Sequence, residues 1–133
     1  MGMNDRVLAG GVFNMVHPGH IHFLEKAKSL GGYLVVVVAA DSRVARRKRL
    51  LRTAGERAKL LRELPFVDKV VIGDDRDMSA VVAKEKPDIV ALGYDQDIEE
   101  VKGILRKAHS AAKIVRIQQL KGYSTKKLTG EEI

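Results

Sequence analysis

The chain contains no cysteine, which excludes disulfide bonds, thiolate nucleophiles and zinc–sulfur centres. Tryptophan is absent too, and aromatic residues make up only 5% of the chain, so the stacking surfaces on which single-stranded nucleic acid is held are missing. Long apolar runs are also lacking. The longest, Tyr33–Ala40, falls far short of the ~20 residues that a bilayer-spanning helix requires. Residues Met1–Arg6 show no secretory hydrophobic region. These absences predict a cytoplasmic address and no membrane partner.

What the chain has in excess is positive charge, with a formal net charge of +7. That favours anionic partners, but net charge alone does not separate nucleic acid from nucleotides or acidic metabolites. Its distribution is more telling. Six of the ten residues from Arg43 to Arg52 are basic. This run reads either as a solvated loop or as a cationic flap in which Lys48 or a neighbour closes over an anionic ligand. With 133 residues, 45% of them hydrophobic and 31% charged, a single domain over 1–133 built on one core is expected.

Along that domain β-branched apolar runs alternate with helical patterns. Strands are predicted at Val7–Val12, Tyr33–Ala40, Lys69–Gly73, Asp88–Gly93 and Lys113–Gln118. Helices are predicted at Pro18–Leu30, Thr53–Leu64, Met78–Lys84 and Ile98–Ala108, with a short terminal one at Ser124–Glu132. Phe23, Leu24, Ala27 and Leu30 give the first helix an apolar stripe. Runs as continuously apolar as Leu34–Ala40 fit a parallel sheet covered on both faces. Right-handed crossovers then give an α/β fold, a doubly wound, Rossmann-like five-stranded parallel sheet with flanking helices and strand order 3-2-1-4-5. Ligands of such sheets bind beyond the carboxyl ends of the strands. Here the crevice should be lined by Gly11–His20, Asp41–Ser42, Gly73–Asp75, Gly93–Gln96 and Gln119–Thr125.

The first of these segments is the most distinctive. In Gly11-Val12-Phe13-Asn14-Met15-Val16-His17-Pro18-Gly19-His20, two imidazoles stand three residues apart at a strand-to-helix junction. Unpaired backbone N–H groups and the positive end of the helix dipole at such a start favour bound phosphate. Pro18 pre-sets φ for the first helical position, and Gly19 lets the backbone approach phosphate without a Cβ. His22, on another helix face, and His109, near a helix end, read as solvated surface residues.

These residues resemble the G-T-F-D-x-x-H-x-G-H motif of the cytidylyltransferase-like nucleotidyltransferases, and the resemblance covers nearly the whole chain. Within that family Leu92-Gly93-Tyr94-Asp95-Gln96 resembles the L-G-Y-D-Q of archaeal FAD synthetases, whereas glycerol-3-phosphate cytidylyltransferases carry G-D-D-W there. Gly122-Tyr123-Ser124-Thr125 matches the end of the family's R-T-E-G-I-S-T motif. The chain departs from the pattern at Val12, where threonine is usual, at Asn14, where aspartate is usual, and at Gln119 and Leu120, which replace arginine and threonine.

The resemblance implies in-line nucleotidyl transfer from a nucleoside triphosphate to a phosphate acceptor, with release of pyrophosphate and no covalent enzyme intermediate. His17 and His20 are then the catalytic pair, donating to the phosphates as charge builds. Gly11, Val12, Phe13, Asn14, Pro18, Gly19, Gly93, Asp95, Gly122, Tyr123, Ser124 and Thr125 fall on nucleotide-binding segments, and Arg57 lies where the family places a phosphate-binding arginine. Asp95 reads as a ribose or base contact in preference to a simple turn former. Asp41 reads either as orienting the acceptor or as capping the next segment. Ser124 and Thr125 suit an N-cap whose N–H groups also hold phosphate.

Mg²⁺ or another divalent metal is implied as a cofactor, carried mainly by the substrate phosphates. Asp74, Asp75 and Asp77 read as a turn rather than a metal cage. The favoured activity is ATP plus FMN giving FAD and pyrophosphate. The alternatives are CTP-dependent transfer to glycerol 3-phosphate or another phosphoalcohol, and a nucleotide-binding regulatory module without turnover. A nucleic-acid-binding domain would rest on charge alone, and a homodimer stays open.

Overall fold

A computed structural model describes residues 4–13, 16–42, 52–74 and 77–118. In chain order these form β1 (Asp5–Gly11), α1 (Pro18–Gly31), β2 (Gly32–Val38), α2 (Ala54–Arg62), β3 (Lys69–Ile72), α3 (Met78–Glu85), β4 (Ile89–Leu92), α4 (Ile98–Lys107) and β5 (Lys113–Arg116). The strands make one five-stranded sheet in the order β3-β2-β1-β4-β5. All four pairings are parallel. This is the doubly wound arrangement predicted, with its switch point between β1 and β4. The terminal helix predicted at Ser124–Glu132 lies outside the described residues.

Alternation along the strands explains how one sheet serves two cores. Val7, Ala9, Leu34, Val36, Val38, Val70, Ile89 and Ala91 pack with Phe23, Leu24 and Ala27 of α1 and Ala54, Ala58 and Leu61 of α2. The intervening residues Leu8, Val35, Val37 and Val90 pack on the other face with Val82 of α3 and Leu105 of α4. Burial on both faces is why the strands read as unbroken apolar runs.

Capping fixes the helix starts. Thr53 caps α2 in a reciprocal box with Glu56, while Asp77 caps α3 and Asp97 caps α4, a hydroxyl or carboxylate accepting from the first turn of each helix. Asp74 accepts from the Asp77 N–H at 3.0 Å, in keeping with a turn. The α1–β2 junction depends on two glycines. Gly32, at φ 97°, caps α1 in a left-handed conformation, and a Cβ on Gly31 would lie 2.5 Å from the Asp5 carbonyl oxygen.

Every strand ends earlier than predicted: β3 at Ile72 rather than Gly73, β4 at Leu92 rather than Gly93 and β5 at Arg116 rather than Gln118. β1 begins two residues earlier, at Asp5, and stops at Gly11 rather than Val12, because Phe13 turns the chain at φ 54°. β2 ends at Val38 rather than Ala40. Among the described residues, no helix is long and apolar enough to cross a membrane.

Candidate active site

The turn that ends β1 delivers the chain to His17 at the start of α1. His17 is the N-cap, in an extended conformation, with Pro18 next as the first helical residue. Its Nδ1 accepts a hydrogen bond from the Gly19 N–H at 3.0 Å. The Nδ1 of His20 accepts from the His17 N–H at 3.3 Å. The two imidazoles thus form a reciprocal capping box, a role ordinarily played by a hydroxyl and a carboxamide or carboxylate.

This alters the expected source of phosphate donors. The Gly19 and His17 backbone N–H groups are engaged by imidazole nitrogens. The two rings, both buried, therefore occupy the start of α1. A neutral imidazole whose Nδ1 accepts a hydrogen bond carries its proton on Nε2, so in their neutral forms both capped rings keep their proton on that nitrogen. Burial also holds the His17 pKa below the ordinary 6.5, which favours the neutral form.

Packing fixes the rings in place. They stack with centroids 3.9 Å apart and 27° between planes, and Phe13 meets His20 edge-on at 5.2 Å. His20 is fully buried on the stripe that continues through Phe23, Leu24 and Ala27. Phe13 is equally buried and holds a positive φ of 54°. For a bulky residue that conformation costs about 1–3 kcal/mol, and the ring's burial against His20 offsets it. Asn14 and Met15 lie outside the described residues.

Arg57 braces the same turn from α2. Its side chain is fully buried, and its guanidinium is distributed over three protein acceptors. Nη1 donates to the Val12 carbonyl at 2.6 Å, Nε to the Arg52 carbonyl at 3.1 Å and Nη2 to Asp41 Oδ1 at 2.9 Å. Asp41 Oδ1 also accepts from the Ala54 N–H at 2.6 Å. Asp41 thus holds Arg57 and the first turn of α2, thirteen residues farther along the chain. Arg57 itself ties the β1 exit to Asp41, before the basic segment, and to Arg52 at its end, and the segment's Lys48 lies outside the described residues.

The opposite wall of the crevice is the loop after β4. Gly93 is buried and Asp95 exposed. Gln96 bridges the switch point, its Nε2 donating to the Gly10 carbonyl at 2.8 Å and its Oε1 accepting from the Gly93 N–H at 2.8 Å. From β5, Arg116 donates to the carbonyls of Gly93, Tyr94 and Gln96. Sequence reasoning placed Gln96 on the crevice without a role and gave Arg116 none. The pairing of β4 with β5 is the signal that could have brought Arg116 to this loop. Gly122, Tyr123, Ser124 and Thr125 lie outside the described residues.

Comparison with known proteins accords with this architecture. A FAD synthase of Thermococcus onnurineus is 48% identical over 120 residues, covering 86% of this chain and 80% of the relative. One from Ferroglobus placidus is 41% identical over 115 residues, covering 85% and 76%. Among solved structures, a lipopolysaccharide core biosynthesis protein from Thermoplasma volcanium superposes with a TM-score of 0.82 at 42% identity, covering 88% of this chain and 98% of that one. The cytidylyltransferase-like family model matches residues 8–132. The chain, with its interlocked histidines at the switch point of a doubly wound sheet, belongs to the cytidylyltransferase-like family.

Proposed function

We propose that this protein is an FMN adenylyltransferase, converting ATP and FMN to FAD and pyrophosphate. The observation that carries the reading is the imidazole pair interlocked through Nδ1 at the start of α1, in a chain 41–48% identical to two proteins named FAD synthase. Those names favour ATP over CTP, and they favour an enzyme over a module without turnover.

The chemistry follows from the residues. A terminal phosphate oxygen of FMN attacks the α-phosphorus of ATP in line. The new P–O bond forms as the bond from that phosphorus to the α,β-bridging oxygen breaks, and pyrophosphate leaves with the electron pair. Nothing on the enzyme is adenylylated, so the protein contributes position and charge stabilisation. His17 and His20 donate to the α-phosphate and to the bridging oxygen as negative charge grows there. Arg57, itself held by Asp41, braces the β1 exit that leads to the two histidines. Asp95, beyond β4, accepts from hydroxyl or amino donors of the nucleoside. Lys48 and the segment Gly122–Thr125 complete the phosphate contacts in this reading.

A divalent cation fits as a companion of the triphosphate. Among the described residues no three His, Asp or Glu side chains gather as a ready-made cage, and Mg²⁺ is commonly held by phosphate oxygens and waters with one or two carboxylates. When bound it would offset phosphate charge and ease departure of pyrophosphate.

The test is incubation of the pure protein with ATP or CTP, FMN or glycerol 3-phosphate, and Mg²⁺, followed by measurement of FAD and pyrophosphate. ATP with FMN should give both products in equal amounts. Absence of FAD, or turnover only with CTP and glycerol 3-phosphate, overturns the proposal.

A further inference from the structure

Loop 93–96 is held from both sides. Toward β1 it is tied by Gln96, whose amide spans the Gly10 carbonyl and the Gly93 N–H. Toward β5 it is tied by Arg116, whose Nη1 donates to Gly93 O at 2.8 Å and Tyr94 O at 3.0 Å and whose Nη2 donates to Gln96 O at 3.1 Å. A turn-closing bond from the Gln96 N–H to Gly93 O, at 3.2 Å, completes the set. One residue farther on, Asp97 is already the N-cap of α4. The tip, Tyr94-Asp95, therefore lies between neighbours held from β1 and β5, and Arg116 also holds the Tyr94 carbonyl. Asp95 Oδ1 comes within 3.7 Å of the point where a Cβ on Gly93 would stand, so the carboxylate lies close over the glycine.

Arg116 is exposed, and an exposed arginine on an edge strand adds little to global stability. Its chemistry suits another task. Three backbone carbonyls gathered at the mouth of a site for a polyanion present the negative ends of their dipoles, and a guanidinium facing them both cancels that charge and fixes their directions. The planar fork, with donors on two terminal nitrogens, meets three carbonyls at once in a way that the single ammonium of lysine does not.

We infer that Arg116 is a positioning residue for nucleotide binding, setting the stance of loop 93–96 and so of Asp95. The inference rests on the reading above that this loop faces the nucleotide. It does not depend on which acceptor the enzyme uses.

The experiment compares wild type with Arg116→Gln and Arg116→Lys. Calorimetric titration with ATP and Mg²⁺, without FMN, gives the dissociation constant, and thermal unfolding monitors the fold. Arg116→Gln should weaken ATP binding about tenfold, because the loop loses its charged clasp. Arg116→Lys, which preserves charge on the same strand, should recover part of that loss. At saturating ATP the kcat should change less than about threefold and the KM for FMN less than about twofold, since neither anchor touches the histidine pair. Unchanged ATP affinity in Arg116→Gln overturns the inference. So does a joint fall of affinity, kcat and unfolding temperature in both variants, which would mark a purely structural role. A wild type that binds ATP but forms no FAD overturns only the FMN reading, whereas one that binds no ATP overturns this inference along with the nucleotide site.

Discussion

His17 and His20 each accept, through Nδ1, a hydrogen bond from the opening turn of the helix that carries them, and their rings stack 3.9 Å apart. The proposed catalytic pair and the helix cap are one arrangement here. The proton of each neutral ring is consequently on Nε2, and long-range ¹H–¹⁵N correlation spectra at neutral pH should show a protonated Nε2 and an unprotonated Nδ1 for both. A protonated Nδ1 on either ring would contradict the capping geometry.

Acid should undo this arrangement. Burial lowers the His17 pKa from 6.5, so the folded protein takes up this proton less readily than the unfolded chain does. The resulting contribution to stability is fully present above 6.5 and is lost as pH falls through the lower folded-state value. Protonation would also turn Nδ1 into a donor facing the Gly19 N–H. An imidazole Cε1–H titration of the free protein should place the His17 midpoint below 6.5. A midpoint above that value would remove the basis for treating it as a neutral donor.

Chemistry and capping can be separated at His17 because asparagine is a good N-cap. His17→Asn should keep α1 and cost under about 1 kcal/mol of stability, while His17→Ala loses the cap as well, at about 1 kcal/mol. Both should lower kcat by about 10²–10³, the usual loss for one transition-state donor. His20→Asn should show a similar kinetic loss with a larger stability cost, since it removes a fully buried ring packed on Phe13. Steady-state FAD formation and urea unfolding test these together. Near-normal turnover in His17→Asn would exclude the ring from the chemistry.

The fold was legible in the sequence because burial on both sheet faces forces the strands to be apolar throughout, as in Leu34–Val38. The histidine pair was legible because Pro18-Gly19 marks a helix start. Other features depend on contacts far apart in the chain. Nothing local says that Phe13 takes φ 54°, since that conformation is selected by its packing against His20. Nor does the basic character of Arg57 show that its partners are Val12, Arg52 and Asp41. Sequence position pointed to phosphate, whereas the three acceptors make it a brace for the turn that carries the histidines.

That brace carries its own expected outcome. Asp41→Asn leaves a fully buried guanidinium with neutral acceptors only, and truncating a partner of a buried ion pair costs about 3–5 kcal/mol. Because 45% of the Asp41 side chain is exposed, water restores part of this, and about 1–2 kcal/mol is expected. Arg57→Lys should cost more, since an ammonium does not span three acceptors. Both variants should lower kcat by loosening the β1 exit. Urea denaturation with parallel turnover assays tests this. Full activity in a destabilised Arg57→Lys protein would confine the residue to stability.

A second buried ion cluster lies at the opposite end of the sheet and should behave differently. Glu85 closes α3 with a side chain only 3% exposed. It accepts from Lys69 Nζ at 2.9 Å and from Arg6 Nη2 at 3.2 Å. Arg6 also donates through Nε to the Glu85 carbonyl at 2.8 Å and lies 4.7 Å above the Tyr33 ring. The two partners are 34% and 42% exposed, so losing the carboxylate returns them to water at modest cost. Losing Arg6 instead leaves a buried carboxylate with a single cation. Arg6→Met should therefore destabilise by about 2–3 kcal/mol and Glu85→Gln by about 1–2 kcal/mol, after allowance for the exposure of the cations. Arg6 is five residues upstream of the β1 exit, about 16 Å along an extended strand, so kcat at saturating ATP and FMN should stay within about twofold of wild type in both. A larger loss from Glu85→Gln than from Arg6→Met would show that the carboxylate, rather than the charge left behind, governs the cluster. A fall in kcat without unfolding would show that this end of the sheet communicates with the histidines.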